Sequence, residues 1–127
     1  IYAHERSELV EEIERLVSRE PLELVGFQGD SATILDYVKV SCFTVENGKV
    51  YAVVGKEHYH IRQRLYQLEQ QVPSQFIKIN QSCLANLRQV ARFEAAFSGS
   101  LRVVFKNGDI DYVSRRNVRA VKERLGL

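Results

Sequence analysis

Two Asn-Gly dipeptides constrain this chain more than any other feature. Asn47-Gly48 divides DYVKVSCFTVE from KVYAVV, and Asn107-Gly108 divides LRVVFK from DIDYV. A two-residue type I′ turn needs positive φ at both central positions, which Asn and Gly tolerate, and its twist matches that of paired strands. Each dipeptide therefore predicts an antiparallel hairpin. LELVGF, SATIL, Glu57 to Ile61 and Phe76 to Ile79 also read as strands, VARFEAAF alternates weakly, and Ser98-Gly99 makes a further turn. The tally is about eight to ten short strands. No repeated strand–helix crossover separates them, so the pattern favours antiparallel sheets packed face to face over a doubly wound parallel sheet.

Three segments read as helices. Residues 5–21 carry Leu9, Ile13, Leu16 and Val17 on one stripe, Glu5, Glu8, Glu11, Glu12 and Glu14 on the other faces, and Pro21 at the end. Residues 61–72 place Ile61, Leu65, Leu68 and Val72 on one face before Pro73. The last helix runs from about Arg115 to Leu125, with Val118, Val121 and Leu125 inward and Gly126 closing it. The expected organisation is an acidic amphipathic helix over 1–21 and one mainly β domain over 22–127. Opening on Ile1, the chain reads as a piece of something slightly longer.

Charge is divided unevenly. Residues 1–75 hold 8 Lys/Arg against 12 Asp/Glu, a net −4, while residues 76–127 hold 10 against 4, a net +6. The basic half suits a polyanion, and a solvated basic face is the plainer alternative. Hydrophobic content of 45% and charged content of 27% are ordinary for a globular protein. No apolar run approaches the ~20 residues of a membrane span and no signal peptide is visible, so a cytoplasmic protein is expected. Cys42 and Cys83 fit no metal or redox spacing and read as reduced structural thiols.

Catalytic constellations are not evident. His58 and His60 share a strand face but have no third ligand nearby in sequence. Ser82-Cys83 has no neighbouring histidine, and the chain has neither a Gly-x-Ser-x-Gly turn nor a Gly-rich nucleotide loop. Neither a metal nor a cofactor is expected.

The arginines of YVSRRNVRAVK raise a different question. Ser114 suits a helix N-cap, which puts Arg115 and Arg116 at the first two helical positions. A cation there opposes the helix dipole, at a cost of roughly 0.3–1 kcal/mol. Two arrangements resolve this. Either an incoming phosphate completes the site, held by the guanidinium groups and the helix start, or the arginines pair with Asp109, Asp111 or Glu123. Arg115, Arg119 and Lys122 also share one helical face. KINQS adds a second candidate: Asn and Gln can bond bidentately to adenine while a nearby Lys holds phosphate.

FIKINQSCLANL, followed by FKNGDIDYVSRRNV and a short terminal helix, resembles the LytTR DNA-binding domain of bacterial transcription regulators over roughly residues 22–126. The resemblance implies an elongated fold of antiparallel sheets, a LytTR-like β-β-β sandwich that contacts duplex DNA through loops. It also implies two copies on paired direct repeats. By position it assigns the bend at Asn80, Gln81 and Ser82 with Lys78 before it, the segment Arg115, Arg116 and Asn117, and the first hairpin, where Lys49 holds the basic role. Many members carry His and Arg or Asn where this chain has Asn80 and Gln81, which implies a different sequence preference. With only a short acidic helix before the domain, the chain resembles the stand-alone type without a receiver domain, which is often encoded beside a membrane protein that restrains it.

The expected function is a sequence-specific, non-catalytic transcription regulator. Asn80, Gln81 and Arg116 are the candidates for base edges. Lys49, Lys78, Ser82, Arg88, Ser114, Arg115, Asn117, Arg119 and Lys122 are the candidates for phosphate contact or support. The alternative is a protein-interaction module whose basic half docks an acidic partner. Single-stranded RNA readers display aromatics for stacking, whereas Phe93, Phe97 and Phe105 read as core residues.

Overall fold

The computed structural model describes residues 23–127; the helix expected over 5–21 lies outside them. In chain order the elements are β1 (Glu23–Gln28), β2 (Ser31–Asp36), β3 (Cys42–Glu46), β4 (Lys49–Val54), β5 (Glu57–Ile61), α1 (Leu65–Gln71), β6 (Phe76–Asn80), β7 (Cys83–Asn86), β8 (Val90–Ala95), β9 (Leu101–Phe105), β10 (Ile110–Val113) and α2 (Arg115–Leu125). The strands form a seven-stranded sheet, in the order β2-β1-β5-β4-β3-β7-β6, and a three-stranded sheet, β10-β9-β8. Every pairing is antiparallel.

Successive side chains on a strand point to opposite faces, and the central strands of the large sheet are apolar on both. Phe43, Ala52 and Leu84 face one way and join a core with Leu68 of α1. Their neighbours Cys42, Val53, Cys83 and Ala85 face the other way and join a second core with Val103, Phe105, Val113 and Val121. The large sheet is thus a middle layer, with α1 on one face and the small sheet and α2 on the other. Two-sided burial also explains why β7 escapes a reading by alternation. All four of its residues are buried, so it shows no polar face.

Several boundaries differ from expectation. Ile61 is the end of β5, opposite Val50 on β4, and not the start of a helix. The helix begins at Leu65, where the Arg64 amide donates to Gln67 Oε1 at 2.8 Å. Leu125 is 38% exposed and not inward, because the buried stripe of α2 ends at Val121. Phe105 is buried and Phe93 packs against the second core, but Phe97 is 95% exposed at the tip of the β8–β9 connection.

Of the two Asn-Gly turns, only the first has positive φ at both residues, 52° at Asn47 and 77° at Gly48. The second turns at Gly108 alone (φ 95°). Asn107 instead uses its side chain: Nδ2 donates to the Gly55 carbonyl and Oδ1 accepts from the Asp109 amide, both at 2.8 Å. Lys56 Nζ donates to the Asn107 carbonyl at 2.7 Å, so this hairpin is fastened to the β4–β5 turn.

Cys42 and Cys83 are free, buried thiols on adjacent strands. A hydrogen bond with Cys42, together with burial, pushes the Cys83 thiol well above its usual range. Asn86 is fully buried: its Nδ2 donates to the carbonyls of Val40 (2.8 Å) and Tyr37 (3.2 Å), and its Oδ1 accepts from the Arg88 amide (3.0 Å). Removing that amide strands buried carbonyls. Asn86→Ala should therefore cost about 1–3 kcal/mol, read as a lower urea midpoint with an unchanged slope.

Candidate nucleic-acid interface

Strand direction sorts the loops into two groups. Glu46 pairs with Lys49 and Val50 with Ile61, so the 47–48 hairpin and the chain leaving β5 emerge at the same end of the large sheet. The Val45 amide donates to the Ser82 carbonyl at 3.0 Å, which brings the 81–82 turn there too. In the small sheet, the pairing of Val113 with Leu101 puts Ser114 beside the 97–99 turn. The opposite end carries the 55–56 turn and the 106–109 hairpin, about 17 Å away along a six-residue strand.

Two asparagines join the two sheets at the first end. Asn80 Nδ2 donates to the Tyr112 carbonyl (2.8 Å) and to Asp111 Oδ1 (3.0 Å), while its Oδ1 accepts from the Ser82 amide (2.8 Å). Both ends of the Asn80 amide are engaged, and the last bond sets the turn at Gln81-Ser82 without glycine or positive φ. Across from it, the Ser114 amide donates to the Ile79 carbonyl at 2.8 Å. Asn117 Nδ2 donates to the same carbonyl at 3.2 Å and to Ser114 Oγ at 2.7 Å. Ser114 holds the N-cap position, but its hydroxyl accepts from the Asn117 side chain and caps no backbone N–H of the first turn.

The same bonds settle where the arginines do not go. Asp111 is engaged by Asn80 and Asp109 by Asn107. Glu123 meets Arg119 at 3.3 Å, with both side chains largely in water, where such a pair is worth little. Among the described residues, Arg115 and Arg116 have no ion-pair partner. Lys49, Lys78, Gln81 and Lys122 likewise make no side-chain hydrogen bond or ion pair within the described residues. The site thus divides by chemistry: the asparagines and serines bind one another, while Gln81 and every one of these cations but Arg119 make no side-chain bond among the described residues.

The basic stripe of α2 faces a groove. Arg115, Val118, Arg119 and Lys122 line one wall and Ser98-Gly99 the other, around about 610 Å³. A smaller hollow of about 290 Å³ lies between Gly48, Gln81, Lys78 and the start of α1. Arg88 is not brought to this end: it follows β7, next to Gln89, whose carbonyl accepts from the Lys106 amide of the far hairpin at 2.8 Å. The rings of His58 and His60 lie against Tyr51, with centroids 6.4 and 5.7 Å apart. Sequence reasoning missed the α1 start and the 97–99 turn as parts of this end. Only strand order brings them there, and no local signal encodes it.

Comparisons with known proteins agree with this architecture. A family model described as the LytTr DNA-binding domain matches residues 30–126. An uncharacterised HTH-type transcriptional regulator of Staphylococcus aureus strain NCTC 8325 is 32% identical over 104 residues, covering 82% of this chain and 71% of the relative. Its counterpart in strain COL matches to the same extent. A solved LytTr DNA-binding domain, from a Bacillus cereus protein described as a methyl-accepting/DNA response regulator, shares the fold with a TM-score of 0.79. It is 17% identical, and the match covers 83% of this chain and 97% of that one. The relatives' name evokes a helix-turn-helix, in which a short turn joins two helices. In this chain five strands, β6 to β10, separate α1 from α2.

The division between locked and free side chains can be tested by stability alone. Asn80→Ala should lower stability by about 0.5–1.5 kcal/mol in urea unfolding, through the hydrogen bonds it removes between the sheets. Gln81→Ala, one residue on, should shift it by less than about 0.5 kcal/mol.

Proposed function

The chain belongs to the LytTR family of DNA-binding domains, and from that premise we propose that it is a sequence-specific transcription regulator reading duplex DNA through the loops at one end. The observation that carries the reading is the pair Arg115–Arg116. Both stand at a helix start with no ion-pair partner among the described residues. Phosphate or base edges supply what the protein withholds from them.

In this reading Gln81 and Arg116 reach base edges. Asn80 shapes the turn that presents Gln81, since its own amide is occupied. Lys49, Lys78, Arg115, Arg119 and Lys122 hold phosphates and make affinity fall with salt. Ser82, Ser114 and Asn117 support the frame. Two copies side by side on direct repeats are the expected stoichiometry, and no reaction is assigned.

The test is a titration of duplex from upstream of the chain's own gene against a scrambled duplex, at two salt concentrations. Preference for the native duplex that survives the higher salt is expected. Equal binding that vanishes as salt rises would mean the arginines only hold phosphate, and docking of an acidic protein partner would become the better reading.

Single substitutions separate the two roles. Arg116→Ala should cost about 1–3 kcal/mol on the native duplex and relax preference at one base position. Lys122→Ala should weaken native and scrambled duplexes about equally and reduce the salt slope by about one. Identical profiles for the two variants would contradict the assignment.

A further inference from the structure

We propose that the hollow beside α1 is a seat for a DNA backbone phosphate, completed by Arg64, a residue outside the three loops already placed on DNA. The proposal rests on the DNA-binding reading and extends it to a fourth segment. The chain leaves β5 at Ile61, directly opposite Val50, and so arrives beside the 47–48 hairpin. Three residues later, Arg64 precedes α1, whose Leu68 is fully buried in the first core and fixes the helix in place. Arg64 and Lys78 then line one hollow with Gly48, Tyr66, Glu69 and Gln81.

The lining chemistry suits a phosphate. Arg64 and Lys78 are two cations with no ion-pair partner among the described residues, against the single carboxylate of Glu69. Tyr66, 63% exposed, and the Gln81 amide add hydrogen-bond donors. Gly48 presents no side chain, and the space where its Cβ would stand is open. A volume of about 290 Å³ is roughly ten waters at ~30 Å³ each, ample for one phosphate with part of its shell. The hollow lies between the 47–48 and 81–82 turns, so a duplex touching both would lay its backbone across it.

Salt-dependent binding tests this directly. Arg64→Gln removes the charge while the Arg64 backbone amide keeps its bond to Gln67. It should weaken native and scrambled duplexes by the same factor, on the order of 3–10-fold, and reduce the slope of log affinity against log salt by about 0.9. Arg64→Lys should keep the wild-type slope. Glu69→Gln should move affinity the other way, tightening both duplexes. Lys106→Gln, at the far end, should leave slope and affinity unchanged, and a loss there equal to that of Arg64→Gln would overturn the seat. A wild-type chain that prefers its duplex, beside an Arg64→Gln variant with unchanged slope, overturns the seat alone. A wild-type chain that ignores duplex DNA overturns the function reading and the seat together.

Discussion

The carbonyl of Ile79 and the amide of Asn80 join what would otherwise be two separate sheets at their loop-bearing end. Ile79 accepts from the Ser114 amide and from Asn117, and Asn80 donates back to the Tyr112 carbonyl and to Asp111. The bonds to Asp111 and from Asn117 are partly buried, where an unmade one costs more than a made one gains. They sit above the second hydrophobic core, which holds the same strands together through Ile79, Val103, Val113 and Val121. Packing brings the sheets together, and the polar clasp fixes the angle and register at which the 81–82 turn meets the start of α2.

That fixing has an electrostatic consequence. A surface that must bind a polyanion needs cations held in place without neutralising them. Here Arg115 and Arg116 have no ion pair among the described residues: Asp111 accepts from Asn80, and Glu123 meets Arg119. The dipole cost of placing arginines at a helix start is small beside the gain from a charge-assisted bond to an arriving phosphate or base. The same logic extends across the end of the molecule, where Lys49, Lys78 and Arg64 add further unpaired cations.

Much of this was legible in the residues. Asn47-Gly48 gave its hairpin because the turn type is dictated by φ alone, and Ser114-Arg115 marked the start of α2 because the polar-to-periodic switch is abrupt. What escaped was tertiary in origin. β7 has no alternation because both of its faces are buried. Ile61 fits both the end of the 57–61 strand and a helical stripe by spacing, and it pairs as a strand because β4 offers it a partner. Phe97 resembles a core residue by type, yet its turn carries it into solvent. The bonds of Asn80 to Asp111 and the Tyr112 carbonyl, about thirty residues away, have no local signal. Arg64 and Arg88 are both cations flanking strands, and only strand order separates the one beside the hairpins from the one at the far end.

The most direct test of the account is to map backbone amide shifts of the isotope-labelled chain on addition of duplex DNA from upstream of its own gene. Changes should cluster at 46–49, 64–66, 78–82 and 114–122, with 55–56 and 106–109 quiet. Changes concentrated at the 55–56 and 106–109 end, or spread evenly over both, would contradict it.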